Sequence, residues 1–140
     1  MPSVVTNLAK ETMIAAISGT DLKIALLNNV VSATAGILSD YNSWTSLSAF
    51  EISGTGYTAG GVSLSELSAY SSSSTDRAYF NGNSIIWNTV TISTYGYALY
   101  RSTSNLVVVI VEFSGDKPKV STSGPFSIAW NSNQILQMIG

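Results

Sequence analysis

Beyond residue 20 the apolar positions alternate or gather in short runs, each broken by Gly, Pro, Asn, Asp or Ser. That punctuation belongs to strands rather than helices. The run Leu22-Lys23-Ile24-Ala25-Leu26-Leu27, closed by Asn28-Asn29, predicts a short buried strand. Residues 77–80 predict another. Over residues 85–92 a period of two puts Ile86, Val90 and Ile92 on one face and Ile85, Trp87, Thr89 and Thr91 on the other. Tyr95, Tyr97 and Leu99 then alternate with Gly96, Ala98 and Tyr100. Residues 106–113 are apolar at both parities, which predicts a strand in mid-sheet covered on both sides, ended by Ser114-Gly115-Asp116-Lys117-Pro118. Phe126, Ile128 and Trp130 alternate with Ser127 and Ala129, and a last strand is expected through Ile135, Leu136, Met138 and Ile139.

The first twenty residues read differently. Leu8, Ala9, Met13, Ala16 and Ile17 fall near helical spacing, Thr6 or Asn7 can cap, and Ser18-Gly19 stops the run, so a helix is predicted over residues 8–17. Its polar face offers only Lys10, Glu11 and Thr12, so it is expected to pack on its own sheet or on a neighbouring chain. Residues 30–48 predict a long, partly ordered connection, with Ser39-Asp40 capping a short turn that carries Tyr41 and Trp44. Residues 50–62 predict two strand pieces with turns. There Gly54, Gly56 and the pair Gly60-Gly61 mark positive φ or close approach of another segment. A phosphate loop is not implied, because no Lys-Ser/Thr follows and no helical pattern opens. The polar stretch 69–76 predicts an exposed loop. The whole predicts a mainly β chain, a jelly-roll-like antiparallel β-sandwich with one short N-terminal helix: residues 1–20 a helical segment, residues 21–140 a single sandwich domain.

Composition narrows the chemistry. Only 10% of the residues are charged, and 24 Ser, 13 Thr and 10 Asn take the place of the missing charges. Without His or Cys there is no Ser-His-Asp relay, no thiolate nucleophile and no imidazole or thiolate metal cluster. The net charge of -2 and six scattered basic residues give no footprint for nucleic acid. No apolar run reaches the about 20 residues needed to cross a bilayer, and the start lacks the layout of an export signal, so a soluble chain made without secretion is expected.

No cofactor is expected. A glycosidase needs only two carboxylates about 5 to 9 Å apart, and Glu51 with Glu112 is the best such pair; the simpler reading has each facing solvent or paired with Lys or Arg. Trp44, Trp87 and Trp130 suit a sugar platform, although Trp87 and Trp130 lie in alternating strands and read as core. Leu8, Met13 and Ile17 on the helix, with Tyr57, Tyr70 and Tyr100, are the candidate protein-contact residues, since a Tyr-, Ser- and Asn-rich surface of low charge suits protein interfaces.

The order of several segments resembles small virion proteins of tailed bacteriophages. The segments are the strand over residues 22–27, the Asp40-Tyr41 turn, Glu51-Ile52-Ser53-Gly54-Thr55-Gly56-Tyr57-Thr58-Ala59-Gly60-Gly61, the Trp87 strand leading to Tyr97-Ala98-Leu99-Tyr100, and Val109-Ile110-Val111-Glu112-Phe113. The most specific element is Gly-Tyr-Thr-Ala-Gly-Gly. The likeness is to decoration, or cement, proteins of the capsid, and the helical start departs from their pattern. The resemblance implies a non-enzymatic protein on the outer capsid surface, made in the host cytoplasm, a homotrimer whose partner is the major capsid protein, with no nucleic-acid or membrane partner. A tail or head-fibre receptor-binding module, using loops such as 69–76, is the alternative.

Overall fold

The computed structural model describes residues 6–17, 21–33, 35–64, 68–72, 77–81, 84–129 and 134–139. In chain order the elements are α1 (Asn7–Ile17), β1 (Leu22–Leu27), a 3₁₀ turn (Asn29–Ser32), α2 (Ala35–Leu38), α3 (Trp44–Leu47), a second 3₁₀ turn (Ser48–Phe50), β2 (Val62–Ser63), β3 (Ser68–Ser72), β4 (Arg77–Asn81), β5 (Ile85–Thr94), β6 (Gly96–Arg101), β7 (Val107–Glu112), β8 (Lys119–Ile128) and β9 (Gln134–Ile139). The fold is mainly β, and the paired strands of its three- and four-stranded sheets are antiparallel. The chain divides into two compact units: residues 1–20, 64–85 and 128–140 form one, and residues 21–63 and 86–127 the other.

In the first unit α1 packs on β3 and β4 and touches β9. The helix starts where Thr6 Oγ1 accepts the Ala9 N–H at 3.3 Å, which satisfies one of the donors a helix leaves free at its start. The three strands order β3-β4-β9, with Tyr70 opposite Tyr79 and Phe80 opposite Leu136. The serine-rich stretch expected as a loop is a strand as far as Ser72: its backbone pairs with β4 from Ser68↔Asn81 to Ser72↔Arg77. A ladder needs only backbone groups, and small hydroxyl side chains do not obstruct it. The remainder of that stretch lies outside the described residues, as does Trp130.

The second unit is organised on a four-stranded sheet in the order β2-β1-β6-β7. Opposite pairs in the register share a face, so Leu27, Ala25 and Ala98 look one way and Leu22, Ile24, Leu26 and Leu99 the other; all are fully buried. On the first face Leu27, Val31, Leu47 and Ala98 make a core to which Tyr41, Trp44, Phe50, Val107 and Ile110 add half-buried surface. The connection over residues 30–48 is therefore the cover of that core, built from short helical pieces. Ser43, rather than Ser39-Asp40, caps α3, its side chain accepting the Ser46 N–H. On the other face a chain of ring contacts runs from Tyr97 to Phe113, Phe126, Trp87 and Tyr57, with centroids 5.8 to 6.1 Å apart. Phe126 belongs to β8 and Trp87 to β5, the two strands of a separate pair.

Two expectations about these strands are corrected. β7 is not a central strand but the edge of its sheet, half-buried along Val107–Val111, and the interior strands are β1 and β6, the latter buried from Gly96 to Tyr100. Apolarity at both parities reports what packs above and below a strand, and says nothing of how many hydrogen-bonded neighbours it has. In β5 the buried residues are Ile85, Trp87, Val90, Ile92 and Thr94, so the inward face changes parity between Trp87 and Val90, and Ile86 points out.

Candidate functional site

The glycine-rich segment ends as a clasp on the outer edge of β1. Beyond its two-residue ladder with β2, at Lys23↔Ser63 and Ile24↔Val62, β1 has no regular neighbour on that side. The clasp supplies one. Ile52 N–H donates to Leu26 O at 3.1 Å, and Leu26 N–H donates to the Tyr57 hydroxyl at 2.9 Å. That hydroxyl donates in turn to Glu51 Oε2 at 2.7 Å, which also accepts the Gly60 N–H at 2.8 Å. The Tyr100 hydroxyl closes the cluster by donating to Gly60 O at 2.6 Å. Burial, and then the bond to Glu51, pushes the Tyr57 phenol far above its ordinary range. Burial followed by the Glu51 charge raises Tyr100 as well.

The glycines are required by geometry. Gly56, Gly60 and Gly61 have φ of +85°, +91° and +78°, and a Cβ at Gly61 would lie 1.8 Å from Ile24 O. At Gly54 and Gly56 a Cβ would lie 2.2 Å from Thr91 O and Thr89 O. The segment thus runs against the backbone of β5, to which it is bridged at Thr55↔Thr91.

A second tie closes the end of the sheet where β1 begins. Arg101 Nε sits 3.1 Å from Asp21 Oδ1, the Thr103 hydroxyl donates to the same carboxylate, and Ser102 N–H donates to Asp21 O at 2.9 Å. The Thr103 bond first, and then Arg101, holds the Asp21 carboxyl below the usual range.

On the opposite side of the sheet, along β7, lies an open groove of about 390 Å³, walled by Leu38, Ser39, Tyr41 and Asn42 and floored by residues 107–110 of β7. Its lining carries no charge. Asn42 O accepts the Val107 N–H at 2.9 Å and Ser43 is bridged to Leu106, so the start of the strand is held.

The residues singled out from sequence fall in separate places. Leu8 and Met13 are exposed on α1, and Ile17 is its last residue, with a side chain outside those described. Tyr70 is on β3, again with an undescribed side chain. Tyr57 and Tyr100 do not form a contact surface: Tyr100 is 3% exposed and stacks on Trp44 at 4.3 Å, and the Tyr57 hydroxyl is spent inside the clasp. Their alternation with glycine and small residues resembles a surface pattern because the covering segment comes from far along the chain.

Glu51 and Glu112 are not brought together. Glu51 bridges Leu27, Leu27 pairs with Gly96, and Gly96 with Glu112. They therefore sit three strand spacings apart, about 14 Å between backbones. Glu112 is engaged by the Ser32 hydroxyl and by Lys117 Nζ at 3.7 Å, on the far edge from the clasp. Among the described residues no three His, Cys, Asp or Glu gather as a metal site, and no helix is long and apolar enough to cross a membrane. The groove beside β7 was missed from sequence; the one available signal was the absence of Lys, Arg and Pro from residues 106–113. No family model matches the chain, and no curated protein or solved structure matches it.

Proposed function

We propose that this protein is a non-enzymatic structural component of a tailed-bacteriophage particle, a decoration or cement protein seated on the outer capsid surface where it bridges subunits of the major capsid protein. The observation that carries this reading is the character of the surface. Leu8, Val120 and Ile86 are 73%, 64% and 60% exposed, in a chain only 10% charged. Apolar side chains set among hydroxyls and amides need little desolvation when covered by another protein, whereas a charged surface resists it. The internal bonding of Tyr57, Tyr100, Glu51 and Glu112 supports the same reading, since it ties the most chemically capable side chains to the fold. The jelly-roll-like sandwich belongs to this proposal too, as the architecture the virion resemblance implies.

The mechanism is area burial at many equivalent positions. Each site is weak, and a lattice of sites sums to a firm shell. The test is reconstitution. Purified protein added to undecorated heads binds in fixed stoichiometry and raises the temperature at which they release DNA. Heads that neither bind it nor gain heat resistance overturn the proposal, as does binding of the isolated protein to host cells instead.

A further inference from the structure

Tyr57 and Trp87 touch, yet they hold their protons in opposite ways. Their ring centroids lie 6.1 Å apart, inside the usual range for an aromatic pair. The Tyr57 hydroxyl already donates to a base, Glu51 Oε2, at 2.7 Å. The indole N–H of Trp87, a residue only 6% exposed, meets no acceptor among the described residues. A buried donor left in that state calls for an explanation.

The contrast matters when an electron is removed. An indole that loses an electron becomes a strongly acidic cation radical, which is relieved by passing its N–H proton to a base. Trp87 has no base at its nitrogen, so the charge stays in the interior, where an unpaired ion is costly. Phe126, its other ring neighbour at 5.9 Å, is harder to oxidise than indole and cannot take the radical over. Tyr57 can, because its phenol gives up an electron to the touching ring and a proton to Glu51 along a hydrogen bond that is already made. Burial and Glu51 hold the phenol in its protonated form, so the two leave together and no phenolate forms first.

We infer that Tyr57 and Glu51 form a proton-coupled one-electron sink, fed through Trp87 by small one-electron oxidants. The oxidant takes one electron from Trp87 and is itself reduced by one. Trp87 recovers that electron from Tyr57, whose O–H bond breaks as an O–H bond forms on Glu51 Oε2. A neutral phenoxyl radical then faces a neutral carboxyl, so Glu51 cancels the positive charge that would otherwise remain in the core. No heavy atom has to move: the Leu26 N–H and the new carboxyl O–H both donate to the phenoxyl oxygen, and the Gly60 N–H stays on Glu51. Tyr100 is unsuited to the same role, because its hydroxyl donates to Gly60 O, an amide carbonyl too weakly basic to take a proton. The chain has no cysteine to compete as a sink.

This inference rests on the clasp and not on any capsid role. Pulse radiolysis of the full chain with azidyl radical, which oxidises tryptophan first, tests it. The tryptophanyl absorption is expected to give way to the tyrosyl band in a first-order step that is independent of protein concentration and slower in heavy water. Tyr57→Phe and Trp87→Phe keep a ring in place and are each expected to lower the tyrosyl yield. Glu51→Gln keeps an oxygen that accepts from Tyr57 and Gly60 but cannot take the proton, and is expected to slow the step about a hundredfold or more. Circular dichroism shows which variants are folded, and the heavy-water comparison needs no variant at all. A tyrosyl yield unchanged in folded Tyr57→Phe or Trp87→Phe overturns the proposal. So does a wild-type rate in Glu51→Gln, a rate indifferent to heavy water, or a tryptophanyl radical that disappears only by encounter between molecules.

Discussion

Replacing Tyr57 with phenylalanine removes one hydroxyl while keeping the ring against Trp87, so it tests the clasp alone. Two bonds go. The Leu26 N–H, on a strand residue whose side chain is fully buried, loses its acceptor, a loss worth about 1 to 3 kcal/mol when water cannot reach in. The Glu51 carboxylate loses a donor, a charge-assisted bond worth about 1.5 to 3 kcal/mol. Because Glu51 is only half-buried and keeps the Gly60 N–H, water replaces part of the second, and the combined cost is about 3 kcal/mol. Urea unfolding near neutral pH measures it directly.

An alkaline series adds a second readout. The folded phenol is held above its ordinary 10.0, so its contribution is complete below pH 10. It is lost as the pH climbs further, at up to about 1.4 kcal/mol per unit, because the unfolded chain ionises first. Tyr57→Phe lacks that contribution, and its stability falls less steeply above pH 10, so the gap between the two proteins narrows. A neutral-pH loss below about 0.5 kcal/mol, or parallel alkaline curves, would refute the clasp as a stabilising device.

Two other substitutions test neighbouring parts of the argument. Gly61→Ala forces a Cβ into the Ile24 carbonyl at a φ of +78°, and is expected to cost more than about 3 kcal/mol or to prevent folding, read by circular dichroism and denaturant unfolding. Asp21 is held below its ordinary 3.8 by Thr103 and Arg101, so its stabilising contribution is complete above that pH and drains away as the pH falls through the lowered value. Asp21→Asn is expected to flatten the acid limb of the stability profile, and a carboxyl NMR titration of the wild type places its midpoint below 3.8.

What could be read from the chain depended on how local the cause was. β1 and the Ala98-Leu99-Tyr100 part of β6 were plain because both faces of each are wrapped by core, and the glycine positions were plain because positive φ and close approach are demands on single residues. β7 was misplaced within its sheet because its apolar faces report Leu27, Val31 and Ala98 packed on one side, while its missing neighbour leaves no mark on composition. The parity change in β5 was hidden for a similar reason: the segment that lies against Thr89 and Thr91 comes from residues 54–56, over thirty positions away. Tyr57 and Tyr100 looked like surface tyrosines because a hydroxyl that satisfies a buried backbone group is chemically the same hydroxyl that faces water. The groove needed both the turn at residues 38–42 and the strand it faces, and neither predicts the other.

The clasp also acts as a ruler. β2 contributes only two residue pairs, too few to fix how β1 is aligned with the chain that returns beside it. A tyrosine side chain has a set length, and the hydroxyl of Tyr57 meets the N–H of Leu26 when Ile24 faces Val62. A slip of one residue would bring up Ala25, whose amide turns to β6. A slip of two would bring up Ile24, whose amide is taken up in its ladder with Val62. The reach of one rigid side chain thus adds to the backbone bonds at Ile52 and Phe50 in setting the alignment, so a residue added or deleted between Ile52 and Tyr57 would put the phenol out of step with the Leu26 amide, however well the remaining strands were formed.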